Sequence, residues 1–125
     1  MLLDIHQREI APDICVIELI GKLALGRESQ RIETIVDQLI AKEQRKAIID
    51  MTQVDYLDSA GIGLLAWSAG KLKESGGRLA IVAAEGRVQR LLEMTQLNAI
   101  VPVVVTVAEA ERAVNGGAGA KESPA

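Results

Sequence analysis

The sequence predicts an α/β domain in which a mixed, mostly parallel β-sheet packs against helices, in the order β-β-α-β-α-β-α-β-α. Three observations support this fold class. Apolar strand-like segments alternate with segments whose apolar residues recur at helical spacing. The stretch "KAIID", residues 46–50, is apolar between its charged ends, as is typical of a central strand buried on both faces. Two strand-like segments precede the first helix, so we expect one antiparallel hairpin at the start.

The first half of the chain predicts a hairpin followed by a helix. Residues 3–9 and the strongly apolar residues 14–20 form two strands, separated by Ala11-Pro12-Asp13, which is turn chemistry. Gly21 to Gly26 is expected to be a loop. The helix that follows is indicated by five apolar residues with helical spacing: Ile32, Ile35, Val36, Leu39 and Ile40.

The second half continues the alternation. Residues 60–74 have a helical pattern that ends at Ser75-Gly76-Gly77. A strand at 78–83 and a short helix between 86 and 96 follow. The core face of the 60–74 helix is predicted to consist of Ile62, Leu65, Ala66, Ala69 and Leu72.

The last strand and helix lie near the end of the chain. Residues 101–105 form the strand, and Pro102, which lacks a donor, places it at the sheet edge or marks its start. Residues 107–114 form a helix with Thr106 as its N-cap. We therefore expect one domain, residues 1–114, and a disordered tail, residues 115–125, whose small and polar residues cannot offset the entropy of ordering.

Composition excludes several classes of function. The 125 residues carry a net charge of −3 without a basic cluster, which argues against binding to nucleic acid or an anionic membrane. The single cysteine, Cys15, lies in an apolar strand, so we expect a buried residue in a cytoplasmic protein. We expect no signal peptide, no membrane-spanning segment and no metal site. A serine hydrolase is disfavoured because the only histidine, His6, is expected on a solvent-facing strand position.

The stretch "VDYLDSAGIGLLAW", residues 54–67, places a carboxylate, a serine and two glycines where a strand leads into a helix. A phosphate on Ser59 would find helix N-terminal amides and a favourable dipole there. Gly61 and Gly63 each cost about 1 kcal/mol of helix propensity, so they are expected to let a partner approach closely. The plainer interpretations are that Asp58 or Ser59 is only an N-cap and that the glycines only allow tight packing of helix on sheet.

The chain resembles the STAS domain family, and within it the bacterial anti-sigma factor antagonists, over residues 3–114. The resemblance rests on "AIIDMTQVDYLDSAGIG", on the "GKLALG" loop, on "GGRLAIV" and on "RVQRLLEMTQL". It implies a single STAS-type domain. In such antagonists the serine that corresponds to Ser59 is phosphorylated by a partner serine kinase, which is itself the anti-sigma factor.

The resemblance also implies a mechanism without catalysis or cofactor in this chain. The unphosphorylated protein binds the kinase and so frees the sigma factor, phosphorylation of Ser59 releases the kinase, and a separate serine phosphatase resets the switch. A new dianion in the docking face accounts for release without a large conformational change. The expected partner-binding residues are Lys22, Leu23, Asp58, Ser59, Gly61, Ile62 and Trp67.

The sequence leaves three points open. The loop reads Gly21-Lys22-Leu23-Ala24, whereas related antagonists often carry Gly-Glu-Leu-Asp, so the complementary surface of the partner is expected to differ. The 60–74 helix carries a second, partly apolar stripe away from its predicted core face, formed by Leu64, Trp67 and Lys71. Trp67 there either contacts a partner or packs against a neighbouring helix. The alternative functions are a scaffold in a stress-signalling assembly or a lipid transporter, and a module that binds a small molecule or nucleotide.

Overall fold

The computed structural model describes residues 3–116. The elements follow the predicted order, with a short 3-10 turn, Leu97–Ala99, inserted before the last strand. Their bounds are β1 Leu3–Ala11, β2 Ile14–Leu23, α1 Arg27–Ala41, β3 Lys46–Leu57, α2 Ser59–Glu74, β4 Arg78–Val82, α3 Arg87–Met94, β5 Val103–Val104 and α4 Val107–Val114.

The strands form one five-stranded sheet in the spatial order β1-β2-β3-β4-β5. β1 pairs with β2 antiparallel, and the remaining pairs are parallel, which confirms the predicted α/β class and the opening hairpin. β3 is central, and its residues 47–51 are buried, as the apolar stretch indicated. β5 lies at an edge and begins directly after Pro102, which satisfies both interpretations of that proline.

Helices cover the two faces of the sheet unequally. α1, α2 and α3 pack on one face over the larger core cluster, which includes Ile17, Ile49 and Ile81. The alternate strand residues face α4 on the other side and form a smaller cluster: Ile14, Val16, Ile48, Ala80 and Val82. Cys15 is buried in the larger cluster as predicted, and burial raises the pKa of its thiol.

The first three strands run further than the sequence pattern indicated, and β1 continues to Ala11 instead of ending at residue 9. Gly21–Leu23, predicted as a loop, continues β2, because Lys22 and Leu23 pair with Tyr56 and Leu57. β3 was expected to end at residue 50 but extends to Leu57. Its buried residues after position 50 are Met51, Val54 and Leu57, at a spacing of three, so the two-residue alternation that marks a strand is missing.

The buried face of α2 also differs from the prediction. Of the five residues predicted for the core face, Leu65 and Leu72 are fully buried. The other three, Ile62, Ala66 and Ala69, are only partly buried. Leu64, expected on an outer stripe, is 8% exposed, and Ser68 is fully buried with its hydroxyl donating to the Leu64 carbonyl at 2.8 Å. α2 contacts α1 as well as the sheet, so its apolar surface is wider than one stripe.

The C-terminal helix begins as predicted. The Thr106 hydroxyl accepts from the Glu109 amide at 3.1 Å, and the Glu109 carboxylate accepts from the Thr106 amide at 3.2 Å, which is a capping box. Residues 115 and 116 form a turn after α4. The rest of the predicted tail, residues 117–125, lies outside the described residues.

Candidate functional site

Ser59 is the first residue of α2, and its side chain is exposed at the junction between β3 and that helix. The other three serines of the described chain use their hydroxyls internally. Ser29 donates to the Ala24 carbonyl, Ser68 is buried as above, and Ser75 donates to the Leu72 carbonyl at 2.8 Å. Within residues 3–116, Ser59 is therefore the serine whose hydroxyl is free for an incoming reagent.

Asp58 fixes the backbone beside that hydroxyl. It is the N-cap of α2 in extended conformation, and its Oδ1 accepts from the Gly61 amide at 2.9 Å. Its Oδ2 accepts from the Leu25 amide at 3.3 Å. The N-cap interpretation of Asp58 is thus confirmed, and the same carboxylate also ties the β2–α1 loop to the start of α2.

The two glycines of the turn have different surroundings. A Cβ on Gly61 would overlap the Leu23 carbonyl oxygen and would lie 2.9 Å from Leu57 Cδ1. Gly61 therefore allows the helix to pack tightly on the ends of β2 and β3, which was the plainer of the two interpretations. A Cβ on Gly63 would meet nothing within 4 Å, so Gly63 leaves open space at the surface.

A shallow groove between α1 and α2 begins next to Ser59. It has a volume of about 240 Å³ and is mostly apolar. Its lining residues are Ala24, Leu25, Gly26, Ser29, Gln30, Glu33, Ala60, Gly63, Leu64 and Trp67.

Trp67 packs inside the domain, and its contact with a partner stays a prediction. Its partly buried side chain packs against the larger core cluster and also lines the groove between the helices. The Lys71 ammonium lies 5.8 Å from the Trp67 ring centroid, in cation–π range. Part of the ring therefore remains available at the surface of the groove.

Leu25 is the surface residue that the sequence did not single out. Its side chain is 84% exposed in the loop that Asp58 holds. The local sequence gives no signal for this exposure, because one apolar residue in a glycine-bounded loop fits neither strand nor helix periodicity. The predicted contact Leu23, two positions earlier, is fully buried beneath the same loop.

The remaining predicted contacts divide between surface and interior. Lys22 is exposed, and its ammonium lies 5.3 Å from the ring centroid of Tyr56, which is 48% exposed. Ile62 is partly buried against the core, and Gly61 is buried. The structure thus brings Lys22, Asp58, Ser59 and Trp67 to the surface, whereas Leu23 and Gly61 support that surface from inside.

Metal ligands, the histidine and the helices of the described residues bear on the other expectations from the sequence. Among the described residues, no group of three or more His, Cys, Asp or Glu side chains could hold a metal ion. His6 is exposed on β1, where it pairs with Glu18 of β2. No helix of residues 3–116 combines the length and apolar character needed to cross a membrane.

A family model for the STAS domain matches residues 6–110 of this chain. The chain belongs to the STAS domain family. This STAS domain is 29% identical over 82 residues to a Thermotoga neapolitana protein provisionally named an anti-sigma factor antagonist, covering 66% of this chain and 73% of that one. It is 25% identical over 91 residues to the anti-sigma F factor antagonist of Paenibacillus polymyxa, covering 72% and 77% of the two chains.

Solved structures of anti-sigma factor antagonists share the fold. The crystal structure of one from Mycobacterium paratuberculosis aligns with a TM-score of 0.76 at 22% identity, over 91% of this STAS domain and 95% of that chain. The antagonist SpoIIAA in its unphosphorylated form aligns with a TM-score of 0.75 at 20% identity, over 90% and 97%. At these identities the likeness shows the fold, and it confirms the predicted α/β architecture.

Proposed function

We propose that this STAS domain is an anti-sigma factor antagonist that switches partners through phosphorylation of Ser59. The unphosphorylated chain binds a serine kinase that is the anti-sigma factor, and the phosphorylated chain releases it until a serine phosphatase removes the phosphate. The observation that carries this proposal is the exposed, internally unbonded hydroxyl of Ser59 at the start of α2. The names of the relatives support the family role, and SpoIIAA itself has been solved in a phosphorylated form.

The surroundings of Ser59 suit a kinase substrate. A kinase must bring the hydroxyl into line with the γ-phosphate of ATP, which requires access from solvent. The Asp58 cap holds the backbone of the first helical turn, so the serine is presented in one conformation. The first helical amides and the helix dipole reduce the cost of adding an anion at this end.

Phosphorylation would change the docking face mainly through charge. A phosphate adds about −1.5 to −2 charges beside the carboxylate of Asp58. A partner that closes over Ser59 would have to desolvate or approach that combined charge. A loss of about 3 kcal/mol in binding free energy would weaken the complex about a hundredfold, which is enough for release.

The docking face that we propose surrounds Ser59 and is formed by the end of β2, the β2–α1 loop and α2. Lys22, Ile62 and Trp67 stay proposed contacts, and Leu25 joins them because it is the most exposed large apolar side chain beside the turn. Leu23 and Gly61 act by positioning this face, since both are buried. The apolar residues around Ser59 would supply binding free energy to the kinase, and a phosphate on Ser59 would offset it by repulsion and desolvation.

The test uses a serine kinase recovered from the source cells with the wild-type chain as bait. Wild type, Ser59→Ala and Ser75→Ala are incubated with that kinase and ATP, and the phosphate is mapped by mass spectrometry. We expect one phosphate on Ser59 in wild type and in the Ser75→Ala control, and none in Ser59→Ala. Phosphate on another residue, or no transfer at all, would contradict the proposal.

The same chain and kinase also distinguish the two alternative functions, a scaffold and a ligand-binding module. A stoichiometric complex whose stability is unaffected by ATP would favour a scaffold. A thermal shift produced by a nucleotide or another small molecule without the kinase would favour a ligand-binding module, since a ligand at a hundred times its dissociation constant adds about 2.7 kcal/mol.

A further inference from the structure

Within residues 3–116, the edge strand β1 has one side free for another strand. It occupies one end of the sheet and pairs with β2 alone among the described strands, in a regular register from Leu3 to Glu9 that breaks between Glu9 and Ala11. The outer edge of such a strand presents backbone donors and acceptors that a further strand can use. Regular pairing over residues 3–9 gives this edge the straight geometry that such an addition needs.

The charges on this edge are opposite in sign and separated. Asp4, His6 and Arg8 alternate along β1, so they lie on the same face of the sheet, and all three are exposed. Asp4 and Arg8 are about 13 Å apart along the strand, too far for an ion pair within one chain. Within residues 3–116 the ion pair present is Lys46 with Asp13, and it includes neither of them.

We propose that the β1 edge pairs antiparallel with β1 of a second copy of this chain, about a two-fold axis at His6. Position 4 of each copy then faces position 8 of the other, so Asp4 meets the partner's Arg8 twice. On the opposite face, Ile5 meets the partner's Gln7. A two-fold interface requires one surface that complements itself, and this strand carries such a pattern.

Neighbouring registers are less favourable, so the charges select one alignment. Centring the pair on Gln7 would place His6 against the partner's Arg8 and Asp4 against the apolar Ile10. Centring it on Ile5 would place Arg8 opposite position 2, so that it would face no residue of the partner's β1. Charged residues on an edge strand generally discourage pairing with another strand. On β1 these charges are attractive in the alignment centred on His6 and unfavourable in the neighbouring ones.

The dimer is expected to be weak, since residues 3–9 give a short contact with little apolar surface. Opposite charges across a strand pair change an equilibrium by about 1.4- to 5-fold each. Reversing one charge converts both attractive pairs into repulsive ones, so the dimer dissociation constant should rise about fivefold or more. The inference is independent of the proposed switch, because β1 does not include Ser59 or its turn.

The experiment is charge reversal and complementation, with dimerisation measured by analytical ultracentrifugation. Asp4→Arg and Arg8→Asp are each compared with wild type, and Glu93→Arg, an exposed site on α3, is the matched control. We expect wild type and the control to dimerise alike, and each edge variant to dimerise at least about fivefold more weakly. An equimolar mixture of the two edge variants should dimerise again, because both attractive pairs are restored across the heterodimer.

The mixture also guards against misfolding, since a damaged variant would not regain association. Hydrogen exchange gives a second measure: alternate amides of residues 3–9 should become protected as the wild-type concentration rises. A wild-type chain that stays monomeric up to about 1 mM, or a mixture that associates no better than either variant alone, would overturn the proposal.

Discussion

Replacing Gly61 by alanine should destabilise the domain, although alanine is the better helix former. The change gains about 1 kcal/mol in helix propensity. The new Cβ would overlap the Leu23 carbonyl oxygen and would lie 2.9 Å from Leu57 Cδ1 and 3.0 Å from Leu23 Cγ. Overpacking of this kind costs about 3 kcal/mol at its upper end, because a carbonyl held in a strand cannot rotate away. The expected net loss in unfolding free energy is about 2 kcal/mol.

Gly63→Ala is the matched control, two positions along the same helix. Its Cβ would meet nothing within 4 Å, so the propensity gain of up to about 1 kcal/mol should appear without strain. The assay is thermal and urea unfolding followed through Trp67, the single tryptophan. At about 4 °C per kcal/mol, Gly61→Ala should lower Tm by about 8 °C and Gly63→Ala should raise it by up to about 4 °C. Equal shifts, or a stabilised Gly61→Ala, would refute the close approach of helix and sheet.

The other predictions concern local contacts. Asp58→Ala should cost about 1–2 kcal/mol of unfolding free energy by removing the cap of α2. It should also speed hydrogen exchange at the Leu25 amide, which donates to the Asp58 carboxylate. An unchanged exchange rate at Leu25 would show that this carboxylate does not hold the loop. Hydrogen bonds from the Val105 and Thr106 amides lower the pKa of Glu109 below its ordinary value, so its stabilisation of α4 is present above about pH 4.5 and is lost as pH falls through the lowered pKa. Urea melts of wild type and Glu109→Gln should therefore differ at pH 7 and converge as pH falls below that lowered pKa. Cys15, buried and with a raised thiol pKa, should react with a maleimide slowly in the native chain and rapidly in urea; equal rates would contradict its burial.

Much of the fold could be predicted from local patterns. The β-β-α-β-α-β-α-β-α order, the central position of residues 46–50 and the Thr106 cap depend on periodicity and capping chemistry that act within a few residues. The extensions of β2 and β3 could not be predicted in this way. They depend on pairing between Lys22 and Tyr56 and between Leu23 and Leu57, more than thirty residues apart, and neither segment alternates apolar and polar residues.

The candidate site was predicted in part. Asp58 and Ser59 could be selected because a cap and a helix start have a local signature. Leu25 could not, because its exposure depends on the Asp58 carboxylate that holds the loop across the sheet end. The burial of Leu64, on the outer stripe of α2, could not be decided from the sequence, because the sequence of one helix does not show that a second helix, α1, covers its side.

The affinity of the kinase for this chain, measured before and after it transfers phosphate, tests the central claim most directly. Isothermal titration with unmodified chain and with chain carrying one mapped phosphate gives the two dissociation constants. The account predicts binding that is about a hundredfold weaker once Ser59 carries the phosphate, with the secondary structure unchanged by circular dichroism. Equal affinity of the two forms would contradict it.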